Sequence, residues 1–173
     1  MTSALTIATD RLNLRPFEVR DMDAAIEFYT SERSQYAGGH VSRFHAWKNA
    51  AAMLGHWSQL GFGLWAVTEK GNDDIIGLVG PFYPDGWPET EIGWLMFEGS
   101  EGKGYAKEAA VAALADARNR LGWIDIVSYI APENSRSIKL AERLGAVLDP
   151  SATGPVPDVP CLVYRHPKPE ALQ

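Results

Sequence analysis

The 173-residue chain has few of the residues that build disulfides and metal sites. Its single cysteine, Cys161, excludes a disulfide within the chain. Cys161 stands beside Leu162 and Val163, a setting typical of a buried strand residue rather than a nucleophile. Of the four histidines, His45 and His56 would lie about 16 Å apart on a straight helix, too far to share one ion. We therefore expect no bound metal and a reducing compartment, the cytoplasm.

The sequence also lacks an excess of positive charge and any long apolar run. Its formal net charge is -6, which disfavours binding to nucleic acid. No apolar stretch reaches the roughly 20 residues of a membrane helix, and Met1–Ala4 does not begin a typical signal peptide. The length favours a single domain over residues 1–173. We expect a protein without nucleic-acid or membrane partners, either a monomer or a homodimer.

Hydrophobic periodicity predicts a strand-rich first half followed by alternating strands and helices. Strands are predicted at 9–15, 64–69, 75–82, 90–97, 124–130 and 159–164. Helices are predicted at 21–31 with Asp21 as cap, at 42–61 with Ser42 as cap, at 106–121, and at 134–144 with Asn134 as cap. The meander implies antiparallel pairing and the strand–helix–strand unit implies a parallel pair. We expect an α/β fold with a mixed, mostly antiparallel sheet of six or seven strands and about four helices on both faces, and a frayed tail over 167–173.

Two of the predicted helices carry apolar stripes of different character. In the helix after Ser42 the predicted buried stripe is Phe44, Trp47, Ala51 and Leu54. In the third helix it is mostly alanine: Ala106, Ala109, Ala110, Ala113, Ala117 and Leu121. Alanine on the inner face lets a helix lie close to a sheet.

A glycine-rich turn lies between the strand that ends at Phe97 and the alanine-rich helix. Gly99, Gly102 and Gly104 stand directly before the first amides of that helix, which have no partner within the helix. The helix dipole adds partial positive charge there, and glycine lets the backbone approach an anion closely. The turn is therefore a candidate phosphate or pyrophosphate site.

Two familiar phosphate loops do not fit this turn. A nucleotide-hydrolase loop requires serine or threonine after Gly-Lys, whereas Gly104 follows Lys103 here. The dinucleotide-binding fingerprint has its glycines in the opposite spacing and near the first strand of the fold. A tight loop that binds no ligand is the simplest alternative for these glycines.

Several motifs, taken in order, resemble the GNAT N-acetyltransferases. They are Glu-Ile-Gly-Trp-Leu at 91–95, Gly-Lys-Gly-Tyr-Ala-Lys-Glu-Ala at 102–109, Asn-Ser-Arg-Ser at 134–137 and Leu-Gly at 144–145. Residues 9–15 and 63–67 are similar to the branch of ribosomal-protein N-terminal alanine and serine acetyltransferases. The resemblance covers residues 9–146, and the order and spacing of the motifs carry it more than any single one.

The resemblance implies a GNAT-like fold, acetyl-CoA as co-substrate and direct acetyl transfer to an amine, either a peptide N-terminus or a small molecule. The residues implied in holding the pyrophosphate are Glu101, Gly102, Lys103, Gly104, Tyr105 and Ala106. The residues implied in pairing with the pantetheine arm are Leu95, Met96 and Phe97, on a strand that splays away from 124–130. Asn134 matches the family asparagine that binds the same arm, and a plain helix cap is its alternative role.

Catalysis requires an unprotonated amine, although amines titrate near 8 for an α-amino group and near 10.4 for lysine. A carboxylate can remove the proton, and Glu91 is the candidate base, with Glu89 as the alternative. Ser137 matches a serine common in the branch and is implied to hydrogen-bond the thioester sulfur. Many family members use a tyrosine acid seven residues after the asparagine. Ala141 occupies that position here, so that acid is missing.

Glu101 departs from the family pattern, which has glutamine or arginine at this position. A carboxylate beside a pyrophosphate is unfavourable unless it turns outward. The cations that could compensate for it are Lys103, Lys107, Arg136 and Lys139.

The resemblance implies an acceptor pocket near the loop that joins the first two helices and near the turn at 82–87. Its candidate residues are Tyr36, His40, Phe82, Tyr83 and Trp87. A rival interpretation from another class is a non-catalytic acyl-CoA-binding sensor or interaction module on the same fold. Ala141 and Glu101 are the residues that favour this rival.

Overall fold

A computed structural model describes residues 5–169, which form one eight-stranded sheet with helices on both faces. The strands are β1 (Ile7–Ala8), β2 (Leu12–Arg15), β3 (Trp65–Glu69), β4 (Ile75–Phe82), β5 (Glu91–Met96), β6 (Val127–Ile130), β7 (Val147–Leu148) and β8 (Leu162–Arg165). The helices are α1 (Met22–Thr30), α2 (Arg43–Leu60), α3 (Tyr105–Asn119) and α4 (Ser135–Arg143), with short 3₁₀ turns at Val19–Asp21 and Glu32–Ser34.

The strand order is β1-β2-β3-β4-β5-β6-β8-β7, and every neighbouring pair is antiparallel except β5 and β6. The predicted mixed, mostly antiparallel sheet and its four helices are confirmed. The sheet has eight strands rather than six or seven because β1 and β7 contain only two residues each, too few to show an alternating pattern. The strand predicted from residue 124 begins at Val127, and Ile124 is exposed.

The alanine-rich helix α3 packs on one face of the sheet. Four of its alanines are fully buried against β2, β3, β4 and β5: Ala109, Ala110, Ala113 and Ala117. Helices α1 and α2 cover the opposite face in a second core that contains Phe28, Met53 and Leu78. The small inner face predicted for α3 is therefore confirmed.

The buried face predicted for α2 is wrong at Phe44 and Trp47, while Leu54 is partly buried against the second core, as predicted. Phe44 is 66% exposed and Trp47 is 52% exposed, whereas the buried residues are Ala46, Ala50, Met53 and His56. Both sets recur at helical spacing, so periodicity alone could not choose between them. The face that packs is the one with small residues, which lets α2 approach α1 closely.

The two predicted caps at the start of α1 and α2 have different outcomes. Ser42 caps α2, since its hydroxyl accepts a hydrogen bond from the amide of His45. Asp21 precedes α1, but its carboxylate does not cap the helix. It instead forms a buried bidentate pair with Arg15, at 2.7 and 2.8 Å.

Strands β5 and β6 meet at one end and then separate. Glu91 and Val127 form their one register pair. Next to it, the Ser128 hydroxyl donates to the carbonyl of Ile92 at 2.6 Å. Beyond this point no strand of residues 5–169 lies beside the edge of β5 from Gly93 onward on that side. This is the splay that the family resemblance implied.

The end of the described chain is bound to the rest of the molecule. Lys168 pairs with Asp125 at 2.8 Å, and Arg118 donates to the carbonyl of Pro167. The fraying expected over 167–173 stays a prediction, since residues 170–173 lie outside the described residues. Met1–Ala4, on which the signal-peptide expectation depends, lies outside them too. Between residues 5 and 169 no helix is long and apolar enough to cross a membrane.

Candidate active site

Two adjoining cavities open where β5 and β6 separate. The larger, about 620 Å³, contains Glu91, and we call it the Glu91 cavity. The smaller, about 440 Å³, reaches the glycine turn, and we call it the turn groove. The residues that line both are Tyr36, Ala37, Trp94, Leu95, Asn134 and Ser137. Ligands bound in the two cavities would therefore meet at this shared wall, the junction.

The glycine turn has a backbone that other residues rarely adopt. Gly99, Gly102 and Gly104 have φ angles of 81°, 72° and 79°. A Cβ atom added at Gly102 would meet no protein atom within 4 Å, so the space above the turn is open. Gly104 is the N-cap of α3, and no side chain caps this helix. The first amides of α3 are thus left for a ligand, which fits the predicted anion site.

An ion pair that sequence reasoning missed holds the turn in place. Arg11 donates to the carbonyl of Lys103 at 2.9 Å and to Glu108 at 2.7 Å. Its guanidinium also lies 4.7 Å from the centroid of the Tyr105 ring. Lys103 does not line the turn groove, and its ammonium lies 3.7 Å from Glu69. Only the backbone of Lys103 remains available for the predicted contact with the pyrophosphate.

The turn groove concentrates positive charge in a chain of net charge -6. The cations that line it are Arg33, Lys107, Arg136, Lys139 and Arg143, and Glu101 is the one lining carboxylate. Among the four cations that the sequence offered as compensation for Glu101, only Lys103 lies outside the groove. This arrangement favours a polyanionic ligand.

Glu101 is paired with arginines. Arg33 contacts its two carboxylate oxygens at 2.6 and 2.9 Å, and Arg136 contacts one of them as well. The hydrogen bonds from Arg33 lower the pKa of Glu101. Arg33 also donates to the carbonyl of Met96 at 2.9 Å, which joins the turn to the end of β5. Sequence reasoning missed Arg33 because it lies in the 3₁₀ turn Glu32–Ser34, 68 residues before Glu101 in the chain.

Glu91 is a buried carboxylate at the start of β5. It is 9% exposed, and its Oε2 accepts a hydrogen bond from the Trp87 indole at 2.8 Å. Burial raises the pKa of Glu91 to about 7, although the Trp87 hydrogen bond acts in the opposite direction. A carboxylate with this pKa can exchange protons near neutral pH. Glu89, the alternative base, lies outside the cavity lining and pairs with Arg165 at 2.7 Å.

Ser137 lies at the junction, and its hydroxyl donates no hydrogen bond to another described residue. The Trp94 indole donates to Ser137 Oγ at 3.0 Å, so the hydroxyl is an acceptor there and can donate elsewhere. Asn134 Oδ1 accepts a hydrogen bond from the Ser137 amide at 3.2 Å, which confirms Asn134 as the cap of α4. Within residues 5–169 the side-chain nitrogen of Asn134 makes no hydrogen bond, so it is available to a ligand.

Some of the remaining predicted site residues line one of the two cavities, and others lie outside both. Leu95 and Met96 line the turn groove, as predicted, but Phe97 does not. Phe97 is buried in the second core, where its ring stacks on Phe28 at 5.1 Å.

Three of the five predicted acceptor residues line the Glu91 cavity: Tyr36, Phe82 and Trp87. His40 does not line either cavity and is exposed at a φ of 54°. Tyr83 also lies outside, where its ring packs against Trp123 at 6.3 Å.

Sequence reasoning missed Tyr129 and the segment 155–161, which line the Glu91 cavity. The Tyr129 hydroxyl is buried without a hydrogen-bond partner in the described part of the chain, and burial raises the pKa of Tyr129 to about 12. The segment includes Cys161, a half-buried residue rather than a fully buried strand residue. Hydrophobic periodicity does not reveal this segment, because it is a loop that lies against strands distant from it in the sequence. In the region from 5 to 169, no cluster of three or more His, Cys, Asp or Glu is placed to bind a metal ion.

Comparisons with known proteins identify the family of this chain. The model of the acetyltransferase (GNAT) domain family matches residues 11–147. An acetyltransferase from Agrobacterium tumefaciens is 38% identical, with a TM-score of 0.87 and 97% of each chain covered. The uncharacterized N-acetyltransferase YnaD of Bacillus subtilis is 29% identical over 80% of this chain and 81% of its own.

The fold is also similar to that of RimL, a ribosomal L7/L12 alpha-N-protein acetyltransferase solved in complex with coenzyme A. The TM-score is 0.73 at 14% identity, over 94% of this chain and 97% of that one. At this identity the likeness concerns the fold alone. The family match, however, spans most of the chain and includes β5, the glycine turn and α3. The chain belongs to the GNAT acetyltransferase family.

Proposed function

We propose that this acetyltransferase moves the acetyl group of acetyl-CoA directly to a primary amine, with Glu91 as general base. The observation that supports this most is the buried Glu91 carboxylate in a cavity that adjoins a cationic groove. The amine would enter the Glu91 cavity and the co-substrate the turn groove.

The described residues of the turn groove fit acetyl-CoA. The uncapped start of α3 offers backbone amides between Gly102 and Ala106 for a pyrophosphate. The groove cations, Lys107 and Lys139 among them, offer charge for its phosphates. The free edge of β5 at Trp94 and at the Met96 amide offers main-chain partners for the amides of the pantetheine arm, since the Leu95 backbone faces β4. When bound, acetyl-CoA supplies an activated thioester.

Glu91 would take the proton that prevents the amine from attacking. Because its pKa lies at about 7, a substantial fraction of the carboxylate is ionised at neutral pH and can accept that proton. Trp87 holds the carboxylate through Oε2, and Oε1 lies 3.8 Å from the position of a Cβ atom at Gly93, where the amine would approach it. A water molecule between the two groups would serve equally well.

Ser137 would donate a hydrogen bond at the junction, where negative charge develops as the thiol leaves. A thiol titrates near 8.5, so modest help is sufficient. Ala141 is fully buried and offers no acid, which leaves Ser137 as the donor from α4.

Release of free thiol from acetyl-CoA in the presence of amines tests the proposal. We expect Glu91→Gln to lower kcat/KM by a factor between about 10² and 10⁴, the usual contribution of a general base, with an unchanged Kd for acetyl-CoA. Glu89→Gln is the matched control and should keep near wild-type activity.

Two results would contradict the proposal. Full activity of Glu91→Gln would exclude Glu91 as the base. Binding of acetyl-CoA without thiol release for any amine would favour the non-catalytic acyl-CoA binder.

The cytoplasmic location and the monomeric or homodimeric state stay predictions from the sequence.

A further inference from the structure

The Glu91 cavity contains one charged side chain. Among the described residues that line it, Glu91 is the only acid, and arginine, lysine and histidine are absent. Aromatic rings form much of its wall: Tyr29, Tyr36, Phe82, Trp87, Trp94 and Tyr129. Such a cavity can pair with one cationic group and cover an apolar body.

We infer that the acceptor is a small primary monoamine with an aromatic or branched apolar body and no carboxylate, an inference that rests on the acetyl transfer proposed above. A free amino acid would bring a carboxylate into a cavity with no cation to meet it. A diamine or polyamine would bring a second ammonium group with no second carboxylate. Burial of an unpaired charge is costly, so both classes are disfavoured relative to monoamines.

Gly93 leaves the room that the ammonium group requires. It follows Glu91 by two residues on β5 and therefore lies on the same face of the strand. A Cβ atom at residue 93 would lie 3.8 Å from Glu91 Oε1 and 3.6 Å from Leu64 Cδ2. The next residue on this face, Leu95, lines both cavities. The space over Gly93 thus lies between the carboxylate and the junction, where an attacking nitrogen must be.

The apolar body of the amine would extend away from the junction. Phe82 and Trp87 meet edge to face there, with ring centroids 5.4 Å apart. Val156 and Val159 also line the cavity and are 48% and 56% exposed, so the mouth of the cavity is apolar as well. Contact with such a body would remove apolar surface on both sides from water.

Matched acceptor pairs test the inference with the full chain and acetyl-CoA. Phenylethylamine and phenylalanine differ by a carboxylate, and hexylamine and hexamethylenediamine differ by a second amine. We expect kcat/KM for thiol release to be higher for each monoamine, by about 100-fold or more. A tripeptide that begins with alanine should also be a weaker acceptor than phenylethylamine.

The outcomes separate this inference from the proposed function. If phenylalanine, the diamine or the peptide equals or exceeds the monoamines, the enzyme is an acetyltransferase but the inferred acceptor class is wrong. If acetyl-CoA binds by calorimetry and no acceptor supports thiol release, both fail.

A glycine substitution tests the placement of the ammonium group. Gly93→Ala adds a methyl group at ordinary contact distances, so the fold should tolerate it. We expect KM for phenylethylamine to rise about tenfold, as for one misplaced methyl group in a pocket, with the Kd of acetyl-CoA unchanged. Gly55→Ala, in α2 and outside both cavities, is the matched control. An unchanged KM in Gly93→Ala would overturn the placement.

Discussion

At the scale of single residues, Trp87 lowers the pKa of the proposed base, Glu91. Its indole donates to Glu91 Oε2 at 2.8 Å, and this bond favours the ionised carboxylate against the effect of burial. Burial, this bond and a hydrogen bond from the Tyr129 backbone together leave the pKa of Glu91 at about 7. An isolated carboxylate at the same depth would hold its proton more tightly and would be a base only at higher pH.

The first prediction follows from that hydrogen bond. Trp87→Phe keeps an aromatic ring against Phe82 but removes the donor, so the pKa of Glu91 should rise above its wild-type value. Because activity requires ionised Glu91, the rising limb of kcat/KM should move to higher pH. A pH profile of thiol release measures this shift.

The matched control for this prediction is Trp47→Phe, since Trp47 is an exposed tryptophan outside both cavities. Its profile should coincide with that of the wild type. Coincident rising limbs for Trp87→Phe and the wild type would mean that the indole does not set the ionisation of Glu91.

At the scale of elements, the glycine turn combines a left-handed backbone conformation with open space above it. The second prediction is that Gly102→Ala destabilises the fold by about 1 kcal/mol, because an L-residue at a φ of 72° is unfavourable. The added methyl group would also enter the groove, so we expect affinity for acetyl-CoA to fall about tenfold, as for other misfits of one methyl group. Urea unfolding and calorimetry measure the two effects.

Gly99→Ala separates the two effects of that substitution. Gly99 has a similar φ of 81° and equally open surroundings, but it does not line the groove. It should lose similar stability and keep its affinity for acetyl-CoA. Equal losses of affinity in both variants would show that backbone strain, rather than ligand contact, explains the glycine at 102.

Elements with a strong local pattern could be predicted from the sequence, and contacts between distant segments could not. The alanines of α3 and the glycines before it are local signals, and they located the turn correctly. The pairing of Glu101 with Arg33 joins segments 68 residues apart. The depth of Glu91 likewise depends on how Trp87 and β6 close over it. Periodicity failed for α2 because two faces had the same spacing.

At the scale of the whole molecule, the buried His166 connects the end of β8 to the place where β5 and β6 separate. His166 is 2% exposed, and its Nε2 lies 2.9 Å from Ser128 Oγ. Since that hydroxyl donates to the carbonyl of Ile92, it accepts from His166, which fixes the neutral form with the proton on Nε2. Burial lowers the pKa of His166 to about 4.

This histidine makes the stability of the fold depend on pH. The unfolded chain binds a proton at His166 near pH 6.5, whereas the folded protein does so only near pH 4, so stability is complete above 6.5 and declines as pH falls towards 4. The difference between these pKa values corresponds to about 3 kcal/mol at most. His166→Gln keeps a donor for Ser128 but cannot ionise, so it should lack this part of the decline. Urea unfolding of both proteins from pH 7.5 to 4.5, in steps of about half a unit, measures the difference.

The comparison of the two curves isolates His166, because every other titrating group is common to both proteins. Glu91 acts in the opposite direction, since its raised pKa stabilises the fold as pH falls below about 7, and it too cancels in the difference. His45→Gln, at an exposed position of α2, should keep the wild-type pH dependence. A constant gap between wild type and His166→Gln across this range would mean that burial beside Ser128 does not resist protonation of the imidazole.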